Sequence, residues 1–120
     1  MNGQNLVLGF TSEEGEPWDK LKPENFKKGN QFTTFRGYGP KKDAYYERNI
    51  NSIFTVTLDR RVIGSALLVT KEYIWSDEIP LETIKKDTKK DYTLEKWADL
   101  MYTFYGNKKV FGYLLTFRIE

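Results

Sequence analysis

The most regular alternation of apolar and polar residues lies near the C-terminal end of the sequence. Two shorter alternating runs, 50–58 and 62–70, are separated only by Asp59-Arg60-Arg61 and predict an antiparallel hairpin. Apolar and β-branched runs predict further strands at 4–10 and Gln31–Gly37. The terminal run predicts a strand over 110–119 with one buried face, formed by Phe111, Tyr113, Leu115, Phe117 and Ile119.

Helix signals occur in the second half of the sequence. Thr93 is suited to cap a helix over 93–105, and Gly106 is suited to end it. A shorter helix is expected to start at Ser76 or Asp77. The longer helix carries an apolar stripe that we expect to face the core, formed by Leu94, Trp97, Met101, Phe104 and Tyr105.

The order of these elements predicts a mixed α/β fold of the α+β class. The runs 50–58 and 62–70 leave no room for a crossover helix, which excludes a doubly wound parallel sheet. We expect a small curled sheet or partly open β-barrel with short helices inserted between strands. A length of 120 residues without repeats or a Gly/Ser linker indicates one domain over 1–120.

The composition excludes several kinds of chemistry. The chain has no Cys and no His, which removes disulfides, zinc sites built on these residues and Ser-His-Asp triads. Mg²⁺ or Ca²⁺ bound by carboxylates is still open as an alternative, and we predict neither a metal site nor a cofactor. The sequence shows neither a signal peptide nor an apolar run of the roughly 20 residues that cross a membrane. We expect a cytoplasmic protein without membrane contact.

Charge is segregated along the chain in spite of a net charge of +2. Residues 1–19 carry four acidic and no basic residues, whereas residues 20–48 carry eight basic and three acidic residues. A local basic block favours a face for a polyanion, and an ordinary solvated surface is the alternative. The Lys-rich segment 85–91 alternates in sign, and we interpret it as solvated.

Two adjacent segments are candidates for binding. Alternation in Gln31–Gly37 places Thr33 on one face and Thr34 with Arg36 on the other, so hydroxyls and a cation project from a strand. The following loop, 37–48, interleaves cations with tyrosines, as single-stranded nucleic acid sites do. The alternatives are threonines that merely suit a strand, and a surface loop anchored by its tyrosines.

The order of three short motifs adds a resemblance. Residues 31–36 read QFTTFR, a basic loop with tyrosines follows, residues 62–66 read VIGSA and residues 93–97 read TLEKW. In this order the motifs resemble the ASCH domain family of the PUA-like superfamily over most of residues 4–119. The resemblance implies a β-barrel-like mixed fold with a cleft between barrel and helices that binds RNA or a nucleobase.

The same resemblance implies an alternative activity. Some small bacterial members are amidohydrolases that cleave acetylated cytidine with a Lys, a Thr and a Glu. Thr34 matches the Thr, but Gln31 stands in the place of the Lys and Lys90 near the place of the Glu. Glutamine cannot accept a proton, so the match is incomplete. Lys28 and Asp91 would replace the missing groups only in a shifted register.

From these observations we expect a nucleic-acid-binding domain, with RNA as the expected partner and DNA as the alternative polymer. Cations would contact phosphates, threonines would contact base or sugar groups, and a tyrosine would stack on a base. An amidohydrolase with a catalytic Thr34 and a non-catalytic module that binds an acidic protein are the other hypotheses. The predicted binding residues are Thr33, Thr34, Arg36, Tyr38, Lys41, Lys42, Tyr45 and Arg48.

Overall fold

Helices are inserted between strands along the chain in the computed structural model, which describes residues 6–120. Residues 4 and 5 of the first predicted strand lie outside the described residues. Short 3₁₀ turns occupy Asp19–Leu21 and Ser76–Glu78. In chain order the other elements are β1 (Val7–Phe10), β2 (Gln31–Gly37), α1 (Pro40–Glu47), β3 (Ile53–Leu58), β4 (Arg61–Trp75), α2 (Leu81–Asp87), α3 (Leu94–Tyr105) and β5 (Phe111–Ile119).

The five strands form one mixed sheet in the order β1-β3-β4-β5-β2. β1 runs parallel to β3, and the other neighbours are antiparallel. Register shifts between Val56 and Thr57 and between Leu68 and Thr70 mark bulges, which bend a sheet locally. The sheet curls into a half-barrel with short helices around it, so the predicted α+β fold class is confirmed.

The curl brings the two edge strands, β1 and β2, close to each other without pairing them. Arg36 of β2 donates a hydrogen bond to the Gly9 carbonyl of β1 at 3.2 Å. The ring centroids of Phe10 and Phe32 lie 6.2 Å apart across the same gap. We call this open gap between β1 and β2 the seam.

Aromatic side chains fill the inside of the half-barrel. Phe117 contacts Phe32 and Phe54 with centroid separations of 5.5 and 5.3 Å. On the outer face of the sheet, Trp97 of α3 packs edge-on against Phe35 at 6.1 Å. The large apolar area of these rings supplies much of the core of a small domain.

Two local predictions on helices need correction. Segment 37–48 is not a loop, because residues from Pro40 form α1, and proline suits the first turn of a helix. The helix over 93–105 is confirmed, with Thr93 accepting the Lys96 amide and Gly106 at a φ of 78°. Its apolar stripe is buried only in part, since Leu94, Phe104 and Tyr105 are exposed.

Candidate functional site at the seam

A buried ion pair lies at the seam. Lys20 comes from the turn Asp19–Leu21, and Asp87 is the last residue of α2. The two side chains are in direct contact and are only 5% and 8% exposed. Because a charge buried without a partner is very unfavourable, each residue requires the other.

The pair also binds the free edge of β2. The Lys20 ammonium donates to the Thr33 carbonyl at 2.7 Å, and the backbone amide of Phe35 faces the Asp87 carboxylate and opposes the rise of its pKa. An edge strand otherwise presents unpaired backbone groups. Lys20 and Asp87 thus take the place of a neighbouring strand at the seam.

Burial shifts the ionisation of both partners. Burial raises the pKa of the Asp87 carboxyl, and the positive charge of Lys20 opposes that shift. Burial likewise lowers the pKa of the Lys20 amine, the charge of Asp87 opposes the shift, and nearby Arg36 adds to the lowering. An amine with a lowered pKa is better able to accept a proton at neutral pH.

A cavity of about 240 Å³ opens beside the ion pair. Lys20, Asp87, Thr34 and Arg36 are among its polar lining residues. Trp97 and other residues of α3 provide aromatic and aliphatic walls. We call this space the seam cavity, and it combines acid, base, hydroxyl and guanidinium groups in one place.

Arg36 is held in position at the seam cavity. Its guanidinium carbon lies 5.1 Å from the ring centroid of Phe10, and its bond to Gly9 uses one of its five N–H donors. A guanidinium presents its donors as a planar fork, which suits a carboxylate, a phosphate or the edge of a base.

A second, larger space of about 890 Å³ lies next to Lys20. Gln31 and Thr33 of β2 line it together with Lys85, Lys86 and Lys90, and the acidic Asp19 and Glu82 border it as well. The Thr33 hydroxyl is buried and has no hydrogen-bond partner among the described residues. Thr33 and Thr34 therefore face different spaces, in agreement with the predicted alternation.

The interpretation of segment 85–91 as solvated is wrong at its centre. Asp87 and Thr88 are 7% and 3% exposed. The Thr88 hydroxyl donates to the Ile84 carbonyl at 2.5 Å, and the Thr88 carbonyl accepts the Asp19 amide at 2.8 Å. The end of α2 is buried because it closes the seam against β2.

The remaining predicted binding residues lie outside both spaces. Lys41 and Lys42 are exposed in the first turn of α1, and Arg48 lies over Tyr45 at 5.9 Å. Tyr45 is half-buried and packs edge-on against Phe54 at 6.1 Å, which favours an anchoring role. Tyr38 is half exposed. Of the eight predicted residues, Thr34 and Arg36 line the seam cavity.

Sequence reasoning missed Lys20 and Asp87. They lie 67 positions apart, and no local pattern marks either of them. Lys28 and Asp91, the shifted-register candidates for the amine and the acid of a hydrolase, are exposed and do not line the seam cavity, and the same holds for Gln31. The structure thus brings a Lys and an acid to Thr34 from other positions than the motif suggested.

Comparisons with known proteins do not assign the chain to a family, and the structure shows neither a membrane-spanning helix nor a metal-binding group among the described residues. No protein-family model, curated protein or solved structure matches the chain significantly. Within residues 6–120, no helix is long and apolar enough to cross a membrane. No group of three or more Asp or Glu side chains in the same residues is arranged to hold a metal ion.

Proposed function

We propose that the protein binds nucleic acid, RNA in the first place, and that the seam cavity holds one unstacked base. The observation that carries this proposal is a single cavity lined by Thr34, Arg36 and the indole of Trp97. Its volume of about 240 Å³ is below the roughly 300–1,000 Å³ of ordinary ligand pockets. Such a space suits one base or nucleoside better than a strand.

The chemistry of the cavity matches what single-stranded RNA offers. RNA is read mainly where bases are unstacked, so that their edges and faces contact protein. Arg36 offers a bidentate fork to a base edge or phosphate, and Thr34 offers a hydroxyl. The resemblance to the ASCH domain family, which implies a base-binding cleft between barrel and helices, supports the same proposal.

Conservative variants in the cavity test this proposal. Arg36→Lys keeps the charge but loses the planar fork, and Thr34→Val keeps the shape but loses the hydroxyl. In fluorescence anisotropy with a labelled single-stranded RNA of mixed sequence, we expect Arg36→Lys to weaken binding about tenfold. Arg61→Lys, at an exposed arginine of β4, is the matched control. Equal affinity of all three variants would contradict a base in the seam cavity.

An amidohydrolase is a second candidate because Lys20, Thr34 and Asp87 line the same cavity. These residues supply the amine, hydroxyl and carboxylate that the resemblance implies for hydrolysis of acetylated cytidine, with Asp in place of Glu. The lowered pKa of Lys20 favours proton transfer from the Thr34 hydroxyl. Asp87 holds the amine in place.

The proposed reaction has two steps. The Thr34 oxygen attacks the acetyl carbonyl, its proton passes to Lys20, and that proton then leaves with the amino group of cytidine. Water next hydrolyses the acetyl ester on Thr34, which releases acetate and restores the hydroxyl. In this scheme the buried pair keeps Lys20 within the cavity for both proton transfers.

Acetate release from acetylated cytidine tests this second candidate. We expect Thr34→Val to abolish turnover and Thr70→Val, at an exposed threonine of β4, to leave it unchanged. A rise of the rate with pH that follows deprotonation of Lys20 would support an amine as the base. Absence of turnover by the wild type at high enzyme concentration would remove this candidate and leave RNA binding untouched.

A further inference from the structure

Four aromatic rings lie close together across neighbouring strands at one end of the sheet. Trp75 of β4 is paired with Phe111 of β5, and the Tyr38 amide donates to the Phe111 carbonyl at 2.9 Å. The Phe111 ring centroid lies 5.2 Å from Trp75 and 6.1 Å from Tyr38. Tyr73 stacks on Phe111 with an interplanar angle of 8°. We call Tyr38, Tyr73, Trp75 and Phe111 the aromatic row.

The aromatic row lies on the same face of the sheet as the core, but its rings are exposed to solvent. Phe111 is on the same face of β5 as the buried Tyr113, yet the four rings are 37% to 51% exposed. Helix α1 reaches only as far as Tyr73, whose hydroxyl donates to Asp43 at 2.7 Å. Clustered exposed aromatic surface of this kind usually marks an interaction site.

Lys109 lies against one end of the aromatic row, and Lys41 and Lys42 follow the residue at its other end in the sequence. The Lys109 ammonium lies 5.1 Å from the ring centroid of Trp75 and 3.7 Å from Asp77. At the other end, Lys41 and Lys42 follow Tyr38 closely in the sequence and are exposed. Near Tyr73, Lys71 pairs with both Asp43 and Glu47, so its single charge neutralises one of the two carboxylates on that side of α1.

We infer that the aromatic row is a stacking platform for single-stranded RNA, with successive bases on Tyr38, Phe111 and Trp75. This inference rests on the proposed nucleic-acid binding and adds a second RNA-binding surface to the seam cavity. Aromatic rings between cations are what a single strand requires, because bases stack on the rings while lysines neutralise phosphates. A flat apolar protein partner would not need cations at both ends.

Tryptophan fluorescence offers a local test of the platform. Of the three Trp residues, Trp18 and Trp97 are 9% and 4% exposed, whereas Trp75 is 41% exposed. We expect unlabelled single-stranded RNA to quench the tryptophan emission by stacking on Trp75. Trp75→Phe keeps a ring for stacking, so it should leave the affinity within about twofold and remove the part of the quenching that is due to Trp75, while a base at Trp97 in the seam cavity would account for any remainder.

Anisotropy with a labelled RNA strand measures the contribution of each ring. Phe111→Ala and Tyr38→Ala are expected to weaken binding about tenfold. Tyr102→Ala removes a ring of α3 that is 59% exposed and outside the row, and it should bind as the wild type does. Tyr38 lies beyond the end of β2, so its variant keeps the test valid if Phe111→Ala fails to fold.

The outcomes separate this inference from the proposed function. Unchanged affinity of both ring variants, with the same quenching by RNA in the wild type and in Trp75→Phe, would overturn the stacking platform and leave the seam cavity in place. Loss of binding in the ring variants, with Arg36→Lys unaffected, would support the platform and remove the base from the seam cavity. A wild type that binds neither RNA nor DNA at low salt would overturn both, and a protein partner would then be sought for this face.

Discussion

The seam and the aromatic row distribute polar and apolar groups in opposite ways. At the seam, Lys20 and Asp87 are charged groups inside the protein, and each has partners for its charge. In the aromatic row, Trp75 and Phe111 are large apolar rings that remain exposed to water. The seam pair closes a sheet edge, so it has a structural role whatever the cavity binds. The row has little structural role, which makes it the clearer indication of function.

The largest effect that tests this contrast is expected for Lys20→Met. The variant leaves the Asp87 carboxylate buried without its cation and the Thr33 carbonyl without its donor. We expect a loss of about 3–5 kcal/mol in the free energy of unfolding, measured by urea denaturation. Lys22→Met, at a more exposed lysine paired with Asp19, should change it by less than about 1 kcal/mol.

Replacement of both Lys20 and Asp87 tests whether the seam depends on the balance of their charges or on their bonds to the β2 backbone. Lys20→Met combined with Asp87→Leu removes both charges and keeps apolar volume, so the double variant should regain most of the lost free energy. A double variant as unstable as Lys20→Met would show that bonds to the β2 backbone, and not the charges, dominate.

Gly112→Ala should have the next largest effect on the free energy of unfolding, because it adds a methyl group to the sheet between the seam and the aromatic row. A Cβ at Gly112 would lie 2.1 Å from the Arg36 carbonyl oxygen and 2.9 Å from the Gly37 Cα. β5 and β2 would have to separate, and we expect a loss of about 1–3 kcal/mol in the free energy of unfolding. Gly9→Ala, whose Cβ would meet only Thr57 at 3.5 Å, is the control. Equal stability of the two variants would contradict this packing.

Trp75→Ala should separate binding from stability. Its residue surface is 41% exposed and the rest is covered, so we expect the free energy of unfolding to fall by about 1–2 kcal/mol, less than for Lys20→Met. A loss as large as that of Lys20→Met would mean that the aromatic row is part of the core, and the contrast drawn above would be wrong. Urea denaturation of the two variants under one condition makes the comparison.

The smallest effect is expected from the ion pairs that hold α1 beside the aromatic row. Hydrogen bonds from Lys71 and Tyr73 lower the pKa of Asp43 below its ordinary value of 3.8. Because the pKa is lowered in the folded state, the ionised carboxylate stabilises that state at pH values above its ordinary pKa. This contribution is lost as the pH falls through the lowered pKa. Asp43→Asn should therefore be less stable than the wild type at pH 6, and the difference should shrink at about pH 3. A constant difference at both pH values would contradict this role.

The sequence predicted what local patterns determine. The alternation in β2 and β5 and the capping residues of α3 depend on neighbours within a few positions, so strand bounds and faces followed from them. Burial of Asp87 did not follow, because its partner Lys20 is distant in the sequence. Alternation also placed Phe111 on the core face correctly, but it carries no information on whether another element covers that end of the sheet.

Fluorescence anisotropy with matched single-stranded and duplex RNA and DNA, each at two salt concentrations, tests the central claim most directly. We predict salt-dependent binding that favours single strands, and a weaker salt dependence for the Lys41→Ala/Lys42→Ala variant because two phosphate contacts are lost. Lys27→Ala, at an exposed lysine away from the aromatic row, should keep most of the slope. Absence of binding to every oligonucleotide at low salt would contradict the account.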